Sequence, residues 1–272
     1  MYDRILVPLD GSAFSEEIIR YAAGMTAQHN TALTLLRIVD KAADEVEARN
    51  YVEQLAAAHG AQGQCVVASG DVAEAILAEA GRVPGTLVAM TSRGRSGLME
   101  AVLGSVAKDL VRHAGSPVLV YHPSGRTSGG ADAIKVNSVI LPLDGSMASE
   151  AMAQQAAEMA RWLDAELLVV SVIDPKSAAG GASLPTGSAK AMESSYVRAK
   201  AGDYAKQYGV RVSWETLYGE PVEAISSFVG GRSDAMLAMV TRGQSALRSA
   251  FLGSVTAGCL SEAGVPVLVR LP

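Results

Sequence analysis

The sequence predicts an α/β protein built from two similar doubly wound domains, each a five-stranded parallel sheet flanked by helices. Three observations carry that prediction. The chain repeats itself: RGRSGLMEAVLGSVAKDLVRHAGSPVLV, from Arg93 to Val120, and RGQSALRSAFLGSVTAGCLSEAGVPVLV, from Arg242 to Val269, agree at fifteen of 28 positions without a gap. Short aliphatic runs alternate with longer segments of helical character, as in βαβ units. Hydrophobic residues reach 49% while aromatics stay at 5%. The core is therefore made of Ala, Val, Leu, Ile and Met, as where helices cover both faces of parallel strands.

Two further matches extend the repeat. ILVPLDGSAFSEE from Ile5 aligns with VILPLDGSMASEA from Val139, and GDVAEAI from Gly70 with GEPVEAI from Gly219. The offset is 134 residues at the start of each copy and 149 later, so the second copy carries 15 extra residues. They fall in PKSAAGGASLPTGSAK, Pro175–Lys190, whose Gly, Ala and Ser content reads as a mobile loop. PSGRTSGGADA, from Pro123, reads as a flexible linker. The expected organisation is a first domain at 1–122, a linker at 123–136, and a second domain at 137–272 with an insertion at about 175–190.

Each copy reads in the same order. A short strand, Arg4–Pro8 or Val139–Pro142, runs into a turn and a helix with Ser12 or Ser146 as N-cap and acids just inside. The second strand is ALTLLRIV, Ala32–Val39, or ELLVVSVI, Glu166–Ile173. A long helix leads to the third strand, Gln64–Ser69 or Arg211–Leu217, and then to a helix opened by Gly-Asp or Gly-Glu. The fourth strand is TLVAMT or AMLAMV; a glycine loop and a last helix lead to PVLVY or PVLVR. In such sheets ligands bind beyond the carboxyl ends of the strands, where the strand order reverses.

The glycine loop carries the chemistry. Gly94 is followed nine residues later by Gly104-Ser105, and Gly243 by Gly253-Ser254. A helix of about ten residues starts at each Gly-Ser and ends at Gly115 or Gly264, suited to the C′ position. Free N–H groups and the positive end of the helix dipole favour an anion there. A glycine lets a phosphate approach the backbone, Ser105 and Ser254 add hydroxyls, and Arg93 and Arg242 supply charge. The competing reading is that the glycines only serve turn geometry. Asp10 and Asp144 end the first strands, either as nucleoside ligands or as the openers of an Asp-Gly-Ser turn.

Other classes find no support. Net charge is −5 with pI about 5.4 and no basic run, which argues against nucleic acid. The apolar runs fall short of the ~20 residues of a membrane span. The first residues, MYDRILVPLDGS, lack a signal-peptide pattern, and Cys65 and Cys259 sit at unrelated positions, so a reduced protein of the cytoplasm is expected. GASLPTGSAK, Gly181–Lys190, has the wrong spacing for a P-loop, and no dinucleotide fingerprint follows the first strand. His29, His59, His113 and His122 form no metal-ligand spacing, so no catalytic residue and no metal ligand is predicted. Trp162 and Trp214 are expected to pack, and Met90, Met236 and Met239 to fill the core.

PLDGS after the first strand, LLRIVD and VVSVID at the second, GDVAEAI and GEPVEAI, and the doubled G-x9-G-S before SPVLV or VPVLV together resemble the universal stress protein family in its tandem two-domain form. The resemblance covers nearly the whole chain. It implies a Rossmann-like, adenine-nucleotide-binding fold and a role in stress response. The ligand it implies is ATP, ADP or AMP, with Mg2+. Some members bind no nucleotide, so a nucleotide-free interaction module stands as the alternative. Carried onto this sequence, the pattern places Asp10 and Asp144 on the nucleoside, with Pro8, Leu9 and Leu143 at the same strand ends. It places the backbones of Ile38 and Val172 at adenine, and Gly94, Gly104, Ser105, Gly243, Gly253 and Ser254 at the phosphates. It implies at most a weak ATPase.

One departure stands out. The family's pattern is G-x2-G-x9-G-[ST], and its first glycine is Thr91 in one copy and Val240 in the other. A β-branched residue there is costly if the position needs positive φ and tolerable if only its carbonyl is used. On this ground the first copy ranks as the stronger site. The fifth strands, left unpaired, would be exposed edges. They are expected to pair with each other within the chain, and a homodimer of the tandem chain remains open.

Overall fold

The computed structural model describes residues 2–29, 31–93, 102–123, 132–175, 186–242 and 251–272, the side chains of 186–191 excepted. The chain divides into two compact units, Met1–Lys135 and Val136–Pro272. The first runs β1 (Arg4–Leu9), α1 (Ala13–Glu16), α2 (Ile19–Thr26), β2 (Ala32–Val39), α3 (Glu45–Ala58), β3 (Gln62–Val67), α4 (Val72–Gly81), β4 (Thr86–Thr91), α5 (Ser105–His113) and β5 (Val118–Tyr121). The second runs β6 (Ser138–Leu143), α6 (Met147–Glu150), α7 (Ala153–Trp162), β7 (Glu166–Ile173), α8 (Thr186–Tyr208), β8 (Val212–Tyr218), α9 (Pro221–Val229), β9 (Ala235–Val240), α10 (Ser254–Glu262) and β10 (Val267–Arg270).

All strand pairs within a unit are parallel. In the first unit β1 pairs with β2 and β4, with β3 and β5 outside them. In the second, β6 pairs with β7 and β9, with β8 and β10 outside. Consecutive strands step one way from the first strand and then the other, so the reversal lies between β1 and β4 and between β6 and β9. That is where a doubly wound sheet opens its ligand crevice.

The central strands are apolar on both faces because helices cover both. Ile5, Leu6 and Val7 of β1, Leu87 of β4, Val139, Ile140 and Leu141 of β6 and Leu237 of β9 are fully buried. Alanines at the inner helix faces, Ala22, Ala156, Ala157 and Ala160, allow close approach to the sheet. Met90, Met236 and Met239 are buried strand residues, as expected.

Local signals start the helices where the sequence places them. Ser12 and Ser146 accept from the backbone N–H of Ser15 and Ser149, and Asp71 and Glu220 accept from Glu74 and Glu223. Gly11 and Gly145 have φ of 84° and 78°, so each Asp-Gly-Ser turn needs a residue without a Cβ.

The structure departs from the sequence reading in several places. The helix after the first strand is split into a four-residue turn and a longer helix in both units. The third strand of the first unit begins two residues earlier than read. Trp162 is buried, but Trp214 is 39% exposed, on β8 at the outer side of its sheet. Thr186–Lys190, assigned to a mobile insertion, form the start of α8; residues 176–185 of that insertion lie outside the described residues. The end of the expected linker is docked: the Ile134 N–H donates to Arg20 O at 2.9 Å, and Val136 is fully buried. Gly24 makes room for this segment, since a Cβ there would stand 1.9 Å from Ile134 O.

Candidate functional site

The carboxyl ends of β1 and β6 lead into identical turns. Asp10 Oδ1 accepts from Ser12 N at 3.0 Å and from Ser12 Oγ at 2.6 Å. Asp144 Oδ1 does the same with Ser146 and also accepts from Ser149 Oγ at 2.6 Å. One oxygen of each carboxylate therefore builds the turn, which upholds the turn-opening role of these aspartates. A ligand role for them rests on the remainder of the carboxylate. Four residues past each capping serine, Glu16 and Glu150 receive hydrogen bonds from Tyr51 of α3 and Tyr196 of α8, at 2.7 and 2.9 Å. Lys200 joins Glu150 at 2.6 Å. The turn is thus tied to the long helix on one side of the crevice.

The Gly-Ser helices are held by a second repeated device. In the first unit Ser92 N donates to Tyr121 O at 2.8 Å, and Ser92 O accepts from Gly104 N at 2.7 Å. In the second, Thr241 N donates to Arg270 O at 2.8 Å, and Thr241 O accepts from Gly253 N at 2.7 Å. The chain leaving the fourth strand is knotted to the end of the fifth strand and to the start of the last helix. This corrects one expectation: the N–H groups of Gly104 and Gly253 serve the knot, so they do not face an anion. The N–H groups that a helix start leaves without an intrahelical carbonyl are those of the first turn, Ser105–Ala107 and Ser254–Thr256.

Among the described residues neither helix has a side-chain cap hydrogen bond. Gly104 and Gly253, the N-cap residues, have φ of −64° and −69°, which any residue adopts. A Cβ on Gly104 would meet Ser92 O at 3.5 Å, an ordinary contact. Packing does not require glycine at Gly104, and Ser or Asp would cap better. Glycine leaves the first-turn N–H groups open, as an anion site requires.

In the second unit these parts surround a cavity of about 380 Å³, within the ~300–1,000 Å³ range of small-molecule sites. Leu143 and Asp144 at the end of β6, Val172 and Asp174 near the end of β7, and Val240 of β9 line it, as do Gly253, Ser254, Val255 and Thr256 of α10. Ser171 of β7 and Glu193 of α8 line it too, and the Ser171 hydroxyl donates to the Glu193 carboxylate. From β9 across β6 to β7, the lining passes from open helix N–H groups to three carboxylates. Among the described residues no group of three His, Cys, Asp or Glu side chains is arranged to hold a metal ion.

The first unit differs at matching positions. Arg37 pairs with Leu9 in the β1–β2 register, as Ser171 pairs with Leu143 in β6–β7. Arg37 Nη1 donates to Leu9 O at 3.3 Å and to Ile38 O at 3.2 Å. Near the knot, Ser92 Oγ lies 2.7 Å from His122 Nδ1, and Phe14 stands edge-on to the imidazole. Burial, and then the Arg93 charge, hold the His122 imidazole below its ordinary 6.5. The folded state therefore favours the neutral ring. Its contribution to stability is full above about pH 6.5 and is lost as the pH falls through the lower folded value. His122→Gln should flatten the fall in melting temperature between about pH 7.5 and about pH 5; an unchanged slope would show that this ring does not govern it.

Thr91 and Val240 are accommodated by strand geometry. Both are paired strand residues, opposite Tyr121 and Arg270 respectively, and neither has positive φ. Val240 O accepts from Thr256 Oγ1 at 2.9 Å, so its carbonyl turns toward the Gly-Ser helix. Of the predicted residues, Leu143, Asp144, Val172, Gly253 and Ser254 come together around the cavity. Pro8, Leu9 and Asp10 sit at the end of β1, and Gly104 and Ser105 at the start of α5. Gly94 and Gly243 lie outside the described residues, and Arg93 and Arg242 are the last described residues before them. Sequence reasoning missed Arg37, Ser171, Asp174, Glu193 and Thr256. The mismatch of arginine and serine within LLRIVD and VVSVID was the available signal for the first two.

Among the described residues no helix is long and apolar enough to cross a membrane. The model of the universal stress protein family matches residues 1–122 and 135–270. A universal stress protein of Mycobacterium tuberculosis (strain ATCC 25618 / H37Rv) is 26% identical over 302 residues, covering 97% of this chain and 96% of that one. One from Methanocaldococcus jannaschii is 29% identical over 138 residues, covering 48% of this chain and 79% of that one. The crystal structure of a universal stress protein from Archaeoglobus fulgidus DSM 4304 superposes with a TM-score of 0.69 at 19% identity, over 100% of this chain and 99% of that chain, and so shares the fold. With the family's pattern matched twice along one chain, on two units of the same strand order, this chain belongs to the universal stress protein family as a tandem two-domain member.

Proposed function

We propose that this protein is a cytoplasmic stress-response module that binds an adenine nucleotide, foremost ATP, in the cavity of its second unit, with at most slow hydrolysis. The observation that carries the reading is the cavity's polarity. One end is the uncapped start of α10 and the other bears Asp144, Asp174 and Glu193. Phosphate fits the first end. Ribose hydroxyls and an amino-bearing base, which donate hydrogen bonds, fit the second. The family resemblance implies adenine as that base. Val172 and Met239 supply apolar walls.

Mg2+ would come with the nucleotide's phosphates, as Mg2+ commonly does. Among the described residues no group lines this cavity that could activate water beyond the carboxylates of the nucleoside end, which is why only slow turnover is proposed. The cytoplasmic assignment is supported by two free cysteines, one of them, Cys259, buried with its thiol pushed up to about 12. Calorimetric titration of the full chain with Mg-ATP, ADP and AMP tests the reading. Saturable heat at millimolar ligand or below is expected. Its absence for all three would leave the nucleotide-free interaction module.

A further inference from the structure

The two units carry opposite charge at the same place in the crevice. Arg37 and Ser171 occupy one register position on the second strand. Glu193 lies three residues before Tyr196, the tyrosine that anchors Glu150; the residue three before Tyr51, which anchors Glu16, is Ala48. The first unit therefore has Arg and Ala where the second has Ser and Glu. In the second unit the serine hydroxyl turns to the glutamate, and both line the cavity. In the first, the guanidinium lies over the strand ends. It donates to Leu9 O and Ile38 O, and its Nη2 would stand 3.8 Å from a Cβ on Gly11 of the Asp-Gly-Ser turn.

We infer that Arg37 is a built-in occupant of the first unit's base subsite, so that the chain takes nucleotide in its second unit and keeps the first closed. This rests on the nucleotide reading above and reverses the ranking drawn from Thr91 and Val240. The chemistry is substitution. A guanidinium is a planar set of N–H donors, and it meets backbone carbonyl groups as the edge of an amino-bearing base would. Ile38 O is the carbonyl at the position that the resemblance assigns to adenine. A nucleotide entering the first unit must displace two hydrogen bonds from a charged donor, an effect of about 100-fold on affinity. Because Arg37 is tethered, it competes at a fixed and high effective concentration.

The test is the number of Mg-ATP molecules bound per full-length chain by equilibrium dialysis, with adenosine as a phosphate-free probe and melting temperature as the control for folding. Wild type should bind one. Arg37→Ser should bind two, and Arg37→Met, which keeps the aliphatic stem but no donors, should do the same if the serine variant folds poorly. Ser171→Arg should bind none, its new guanidinium being held by Glu193, and the double variant Arg37→Ser/Ser171→Arg should bind one. Wild type binding two would overturn the inference and leave the nucleotide reading intact. So would an unchanged count of one in both Arg37 variants. Wild type binding none while Arg37→Ser binds one would uphold the plug and remove the second-unit site. If neither wild type nor any Arg37 variant binds, both readings fail.

Discussion

Gly253→Asp is expected to abolish nucleotide binding while leaving the fold as stable as before, or more so. The carboxylate would take the N-cap position of α10, where Asp is preferred over Gly by a few tenths of a kcal/mol. It would draw in the first-turn N–H groups and place a negative charge where phosphate would sit. Losing two charge-assisted hydrogen bonds, about 1.5 kcal/mol or more each, weakens binding by at least about 100-fold. The knot from Gly253 N to Thr241 O uses only backbone and survives. Gly253→Ser caps without charge and should lose about tenfold. Calorimetry and thermal melting of the same samples read both quantities. Affinity within threefold of wild type in Gly253→Asp would remove α10 from the site.

Gly24→Val should cost the first unit about 3 kcal/mol, at the upper end for overpacking. The atoms a Cβ would meet are backbone: Ile134 O at 1.9 Å, Ile134 C at 2.4 Å and Ile134 N at 2.9 Å. They cannot move aside without undocking the segment whose N–H donates to Arg20 O. Even Gly24→Ala should be clearly destabilising, against the usual benefit of about 1 kcal/mol for that change in a helix. Gly202→Ala in α8 is the control of opposite sign, because nothing lies within 4 Å of its Cβ position. Urea midpoints of the three variants measure the contrast. A neutral Gly24→Ala would show that residues 132–134 do not pack on α2.

The strands read best where burial is most complete. β2, β4, β7 and β9 have the bounds that their aliphatic runs define, because both faces of these strands are mostly apolar. β3 and β8 are half-exposed along most of their length, so polar residues interrupt the run, and both lie slightly off the predicted bounds. Turn chemistry was equally legible: Ser12, Ser146 and Asp71 cap as their residue types favour, and Glu220 caps at the position matching Asp71. The site was legible only in part. Asp144, Gly253 and Ser254 belong to short motifs and stand out. Glu193 enters the cavity from a long helix that follows the insertion, where sequence spacing does not set which turn faces the sheet. The use of the Gly104 and Gly253 amides is a contact across the chain that no local pattern encodes.

The backbone knot after the fourth strand has an evolutionary consequence. It is made of main-chain atoms alone, so it asks nothing of the side chains it joins. Serine stands at position 92 and threonine at 241, His122 follows one fifth strand and Leu271 the other, and the same two hydrogen bonds form. A duplicated domain can therefore drift at these positions, acquiring a Ser92–His122 pair in one copy and none in the other, without loosening the start of its last helix. Proline is the residue type that the arrangement excludes at 92, 104, 241 and 253, because each of those positions must donate an N–H.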